Sequence, residues 1–223
     1  MTKSFRNLFL LLALCSVMVA ALTGCEQKTT EPGGDVPEVQ GDYRRGVWEE
    51  TTYKNDYLGL TFPLPEGYKI VGEREILRLM SLDRRQFENK EEQDKEVAKK
   101  TLIFDFVIGD ETTDSGMPMV QLMAENLKAS GEEELSALDY AKKLSEQLLT
   151  QENNPNGYVI DVPADHSFAG GDWTILTTVM EKKELAQWYL VQRQGDYIIS
   201  FVCTFPPDRQ ADIENFLQSV EAL

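Results

Sequence analysis

Histidine is almost missing from this chain, and cysteine and tryptophan are scarce: 223 residues contain one His, three Cys and three Trp. One histidine cannot supply a two- or three-His zinc site. Three cysteines cannot build the disulfide framework of a small secreted scaffold. Positive charge is also short. Lys and Arg number 22 against 38 Asp and Glu, a net charge of -16, so no basic footprint for nucleic acid is expected. No Gly-x-Ser-x-Gly elbow, phosphate-binding loop or dinucleotide glycine pattern is present. Apolar residues are not lacking. A hydrophobic content of 42%, with 10 Phe and 8 Tyr, is too high for a disordered chain and predicts a globular domain.

The N-terminus carries the most specific local signal. Residues 1–24 contain no acid, and Lys3 and Arg6 precede an apolar run from Leu8 to Leu22. That is the layout of a secretory signal peptide, and the run is shorter than the roughly 20 residues a membrane-spanning helix needs. It ends in Leu22-Thr23-Gly24-Cys25, which resembles the lipobox of bacterial lipoproteins. The resemblance implies acylation of the Cys25 thiol, palmitate-type chains included, and cleavage just before it. Residues 1–24 are therefore expected to be a lipoprotein signal peptide. Their loss removes two cations and no acid, taking the net charge from -16 to -18. Such a surface repels anionic headgroups, so lipid chains rather than electrostatics must hold the protein to a membrane. Residues 25–46 are mostly polar and punctuated by Pro and Gly, and they read as a flexible tether. Residues 47–223 are expected to form a single domain, placed on the extracytoplasmic side of the cell membrane. Cys203 is then the one cysteine left in it, without a partner for a disulfide.

The domain alternates between two periodicities. Tyr57–Pro65 predicts a short strand, Glu66-Gly67 a turn and Tyr68–Val71 a returning strand. Ile76, Leu79 and Met80 have helical spacing, and the charged stretch 83–100 reads as a solvated helical excursion or loop. Leu102–Ile108 and Met117–Ala124 predict strands around an acidic loop, residues 109–116. Ser136 and Asp139 form a capping-box pair, with Leu135 and Tyr140 in hydrophobic-staple positions, before a helix whose stripe is Leu138, Ala141, Leu144 and Leu148. Strands follow over Tyr158–Val162, Trp173–Met180, Leu185–Gln192 and Tyr197–Phe205. In the last of these, Tyr197, Ile199, Phe201, Cys203 and Phe205 are expected to face the core, and the alternate residues to face away. Ile213, Phe216, Leu217 and Val220 mark a closing helix. Short connections between consecutive strands force antiparallel pairing. The fold class is α+β, an antiparallel sheet covered by helices.

The Gly-x-x-Phe-x-x-Pro-x-Gly-Tyr opening (Gly59 to Tyr68), the Ser136-to-Gln151 helix, the three-strand meander and the Ile213-to-Val220 helix together resemble a known group. These are the small exported lipoproteins of Firmicutes whose domain is similar to the PsbP/Mog1 fold. The resemblance spans about residues 47–223 and implies an antiparallel sheet sandwiched between helices. Better-known members of that fold bind other proteins, in photosystem assembly or nuclear transport, and no binding residue carries over.

Candidate chemistry is thin. His166 lies between Asp165 and Ser167, but strand neighbours point apart, so the three cannot converge locally. Cys203 sits among aromatics and reads as a buried hydrophobe rather than a nucleophile. The loop 109–116 has three carboxylates but no EF-hand spacing, and reads as a solvated turn. Glu49-Glu50 and Glu132-Glu133-Glu134 pair acids in a chain where acids are common, and a glycosidase dyad also needs a cleft. Trp48, Trp173 and Trp188 read as core residues before they read as a sugar platform. No catalytic residue, metal ligand or cofactor site is therefore predicted, and Cys25 alone is assigned, as the lipidation site. The expected function is a membrane-anchored, non-catalytic binding or assembly module for an envelope or extracellular protein. The alternative is an envelope hydrolase or small-ligand-binding lipoprotein. A contiguous exposed apolar patch would favour the first, and a concave pocket with convergent polar groups and perturbed carboxylates the second.

Overall fold

Tyr197–Phe205 is a nine-residue strand in which every residue is buried. The expected alternation of a core face and an outer face is therefore corrected: both faces of this strand are inside. The reason lies in what covers the sheet. In the computed structural model, which describes residues 42–150 and 154–223, the strands are β1 (Val47–Glu49), β2 (Thr52–Asn55), β3 (Leu60–Pro63), β4 (Tyr68–Ile70), β5 (Leu102–Asp110), β6 (Met119–Asn126), β7 (Tyr158–Ile160), β8 (Ala164–Phe168), β9 (Gly171–Met180), β10 (Leu185–Gln194), β11 (Tyr197–Phe205) and β12 (Glu221–Ala222). The α-helices are α1 (Glu73–Leu79), α2 (Lys90–Ala98), α3 (Leu127–Ser130), α4 (Ala137–Thr150) and α5 (Gln210–Gln218). The larger sheet runs β4-β5-β6-β11-β10-β9-β7, with β8 also on β9, and the smaller runs β1-β2-β3-β12. All pairings are antiparallel. The α+β architecture is as read from the sequence. Residues 1–41, with Cys25 and the expected signal peptide, lie outside the described residues.

Helix α4 lies on one face of the larger sheet, over β9 and β10. Its start follows the expected cap: Ser136 Oγ accepts from the Asp139 backbone N–H at 3.1 Å and donates to the Asp139 carboxylate at 2.7 Å. Its buried residues are Tyr140, Ala141, Leu144 and Leu148. Leu138, expected on that stripe, is 38% exposed. The helix is rotated so that the larger Tyr140 side chain reaches inward to Glu125. The opposite sheet face carries α5 and the smaller sheet, joined by ring contacts in which Phe62 meets Phe106 at 5.4 Å and Phe216 at 5.1 Å, while within the larger sheet Phe168 and Trp173 lie 5.3 and 5.8 Å from Phe201. Each edge-to-face pair adds about 0.5–1.5 kcal/mol beyond the area it buries.

The expected return from Tyr57–Pro65 to Tyr68–Val71 is also corrected. β3 pairs with β2 and β12, while β4 pairs with β5, so the Pro63-to-Gly67 segment passes between sheets. Pro63 and Pro65 lack the N–H groups that a β3–β4 ladder would use. The far end of the chain closes the smaller sheet instead, with Leu223 N–H donating to Gly59 O at 2.8 Å. The fold also reaches back past position 47: Tyr43, assigned to the tether, is 4% exposed. The charged stretch 83–100 contains α2, capped by Asn89, with Gln93 and Val97 as its buried residues.

Phe201 is fully buried and touches rings from four elements. Phe201→Ala is expected to cost about 3–5 kcal/mol of stability, and Leu138→Ala less than about 0.5. Urea unfolding with an unchanged slope measures both.

Candidate functional site

Asp105 is the charged residue inside the apolar strand β5, and it is 7% exposed. A register shift between Phe104 and Phe106 leaves it without a partner on β6. Such a bulge turns a side chain out of the regular alternation. The carboxylate meets donors from the first folded segment and from β2. Tyr43 Oη donates to Oδ2 at 2.5 Å, Asn55 Nδ2 donates to the same oxygen at 3.0 Å, and Gly46 N–H reaches both oxygens at 3.1 Å. Asn55 Nδ2 also bonds Tyr53 Oη at 3.1 Å. Gly46 has no substitute: a Cβ there would lie 2.4 Å from the Tyr53 ring and 2.5 Å from Lys54 O. Burial raises the Asp105 pKa and outweighs the donors, which lower it. The phenols of Tyr43 and Tyr53 are pushed well up, by burial first and then by the Asp105 charge.

This network forms the back of a groove of about 1230 Å³ between the Asp42–Trp48 segment, the start of α1 and the helix α2. Val47, Ile70 and Ala98 give it apolar walls, and it carries charges of both signs. Arg45 crosses it to Glu73, at 2.5 Å, and buried Gln93 donates to the same Glu73 oxygen at 2.6 Å. Two N–H donors on its lining, Arg45 Nε and Trp48 Nε1, are buried without an acceptor.

A second buried carboxylate lies on the α4 face. Glu125 is 3% exposed and accepts from Tyr140 Oη at 3.0 Å, and its other oxygen has no partner. Lys143 bonds Glu132 beside it. Burial raises the Glu125 pKa, the Tyr140 bond lowers it and Glu132 raises it. A smaller cavity of about 430 Å³ is lined by Tyr68, Asp110, Arg209 and Asp212, where Arg209 bridges the two carboxylates.

The sequence-predicted candidates do not converge. His166 is half-buried mid-strand on β8, and Asp165 and Ser167 are exposed beside it. Cys203 is fully buried, which drives its thiol pKa strongly up. Trp48 packs with Tyr53, Phe62 and Phe106, Trp173 with Phe168 and Phe201, and Trp188 with Phe205, so no shared platform exists. In the acidic loop, Asp110 turns inward to Thr112 and Arg209. Glu49 is bound by Lys54 and Glu132 by Lys143. Among the described residues no group of three His, Cys, Asp or Glu is placed to hold a metal ion. Sequence reasoning missed Asp105 and Glu125. The available signal was an acid within or at the end of a strongly apolar strand.

Asp105 and Glu125 keep protons in the folded state that the unfolded chain releases at ordinary carboxylate pH. Folding therefore takes up protons, and stability falls as pH rises from that range through the two raised values. Urea midpoints measured from about pH 4 to about pH 8 are expected to decline, and Glu125→Gln, which keeps the acceptor for Tyr140, to flatten the decline. An unchanged slope in Glu125→Gln would remove Glu125 from this account.

No protein-family model matches the chain, and no curated protein does. Among solved structures it is similar to cyanobacterial PsbP (CyanoP) from Synechocystis sp. PCC 6803, determined in solution. The identity is 11%, the match covers 87% of this chain and 98% of that chain, and the TM-score is 0.46. No residue role is transferred from it.

Proposed function

We propose that the chain is an exported lipoprotein, anchored through an acylated Cys25, whose domain works as a non-catalytic binding module on the outer side of the membrane and docks its partner in the groove at Asp105. One observation carries the non-catalytic part of the reading. A concave site with a perturbed carboxylate is the mark expected of a hydrolase or ligand carrier, yet this carboxylate is engaged by Tyr43, Gly46 and Asn55 from its own chain. A general base must reach a substrate proton, and this carboxyl group is 7% exposed behind its own donors. Neither Cys203 nor His166 lines the groove. What the groove offers a partner is apolar wall, exposed charge and unpaired N–H donors, which are the means of recognition rather than of bond cleavage.

Anchoring through Cys25 accords with the apolar N-terminal run and the Leu22-Thr23-Gly24-Cys25 box. Among the described residues no helix is long and apolar enough to cross a membrane.

Metabolic labelling with palmitate followed by fractionation tests the anchor: wild type is expected to carry label and sediment with membranes, and Cys25→Ala to do neither. A membrane-bound, labelled Cys25→Ala would refute the anchor. A photo-crosslinking residue at Arg44, on the groove, is expected to trap a partner in intact cells, and one at Lys142, on the exposed side of α4, to trap none. Crosslinks from Lys142 alone would move the docking site elsewhere.

A further inference from the structure

We infer that the groove takes an extended, acidic polypeptide segment, laid beside the free edge of β1. This rests on the reading of the groove as a docking site and names the chemistry of its occupant.

Three independent observations meet there. The first is an open edge. β1 is the outermost strand of the smaller sheet, with β2 on one side and, among the described residues, no strand on the other. Residues 44–48 run along the groove, and Val47 is 46% exposed on it. An added strand would gain main-chain hydrogen bonds there, as in other complexes built by strand addition.

The second is a pair of unmet donors. Arg45 Nε and Trp48 Nε1 are both buried without an acceptor, and both belong to side chains on the groove. Leaving a buried N–H unpaired costs about 1–3 kcal/mol, and two such groups three positions apart ask for oxygen acceptors along one line. Peptide carbonyls and a side-chain carboxylate are such acceptors. Both atoms are covered in the free form, so docking includes a side-chain shift that uncovers them.

The third is charge. In a chain of net charge -16, five of the 22 cations line this groove: Arg44, Arg45, Arg84, Lys90 and Lys95. Its carboxylates are largely committed: Glu73 to Arg45, Glu91 to Lys95, and Asp105 to its three donors. Asp42 and Asp94 remain. Arg44 and Lys90 have no ion-pair partner among the described residues, and Arg84 bonds only the Phe87 carbonyl. With the Arg45–Glu73 and Lys95–Glu91 pairs set aside, Arg44, Arg84 and Lys90 stand against Asp42 and Asp94, so this groove repels an acidic chain less than the strongly acidic surface around it does.

The test uses the full chain, isotope-labelled, in zwitterionic micelles, with three probes: a short peptide of alternating Glu and Val, its Lys–Val counterpart, and dioctanoyl phosphatidylglycerol. The acidic peptide is expected to shift the Trp48 indole N–H and Arg45 Nε–H signals together with the backbone amides of residues 44–48. Arg44→Glu with Lys90→Glu, both exposed and outside the packed core, is expected to weaken it about tenfold or more. If the basic peptide moves these signals and the acidic one does not, the docking site stands and its acidic preference is wrong. A stronger response to the lipid than to the peptide overturns the polypeptide assignment. If no probe moves them, the inference and the docking reading fall together.

Discussion

The carboxylate of Asp105 is where the two sheets are tied to each other. It belongs to the larger sheet, and its donors come from the first folded segment and from β2 of the smaller one. A buried carboxyl group is expensive to place and more expensive to leave unpaired. The Tyr43–Gly46 segment and β2 are therefore held in the one arrangement that satisfies it. Tyr43 in turn packs edge-on against Tyr57, 5.1 Å away, and against Tyr197 at 5.6 Å. The rings of Trp48, Tyr53, Phe62 and Phe106 pack against one another between the sheets. The polar network fixes their register, because ring packing alone tolerates sliding and directed hydrogen bonds do not.

The groove is a by-product of that tie. Once the Tyr43–Gly46 segment is drawn down to β5, the space between it and helices α1 and α2 cannot close. Gln93 and Arg45 meet at Glu73 rather than packing apolar surface across the gap. The same clustering brings five cations and five acids together in a protein that is strongly acidic elsewhere. Helix α2 has Lys90 and Lys95 on its groove side, and the incoming segment has Arg44 and Arg45. Glu125 repeats the motif on the opposite face with fewer partners. One of its oxygens is unpaired, and Glu132 stands close enough to raise its pKa.

Local signals were legible where one segment contains both the cause and the effect. Ser136 and Asp139 cap α4 because both lie within its first turn. The strands from β9 to β11 follow their apolar runs and the short turns between them. Asp105 and Glu125 were passed over although each is an acid in an apolar strand, and nothing near them in sequence names their partners. Asp105 meets Gly46 and Tyr43 from 59 and 62 positions away. Leu138 was misplaced for a related reason: helical spacing allows several stripes, and the pull of Tyr140 toward Glu125 selects among them.

The sequence by itself determined most of the longer elements and their order, the antiparallel pairing of the meander and the burial of Cys203. These follow from periodicity and turn residues, which act over a few positions. Only the tertiary structure decided that both faces of β11 are covered, that β3 and β4 part into different sheets, and that a bulge aims Asp105 at the first folded segment. Those outcomes depend on which surfaces meet across long separations, where several pairings satisfy the same local pattern and packing with hydrogen-bond satisfaction selects one.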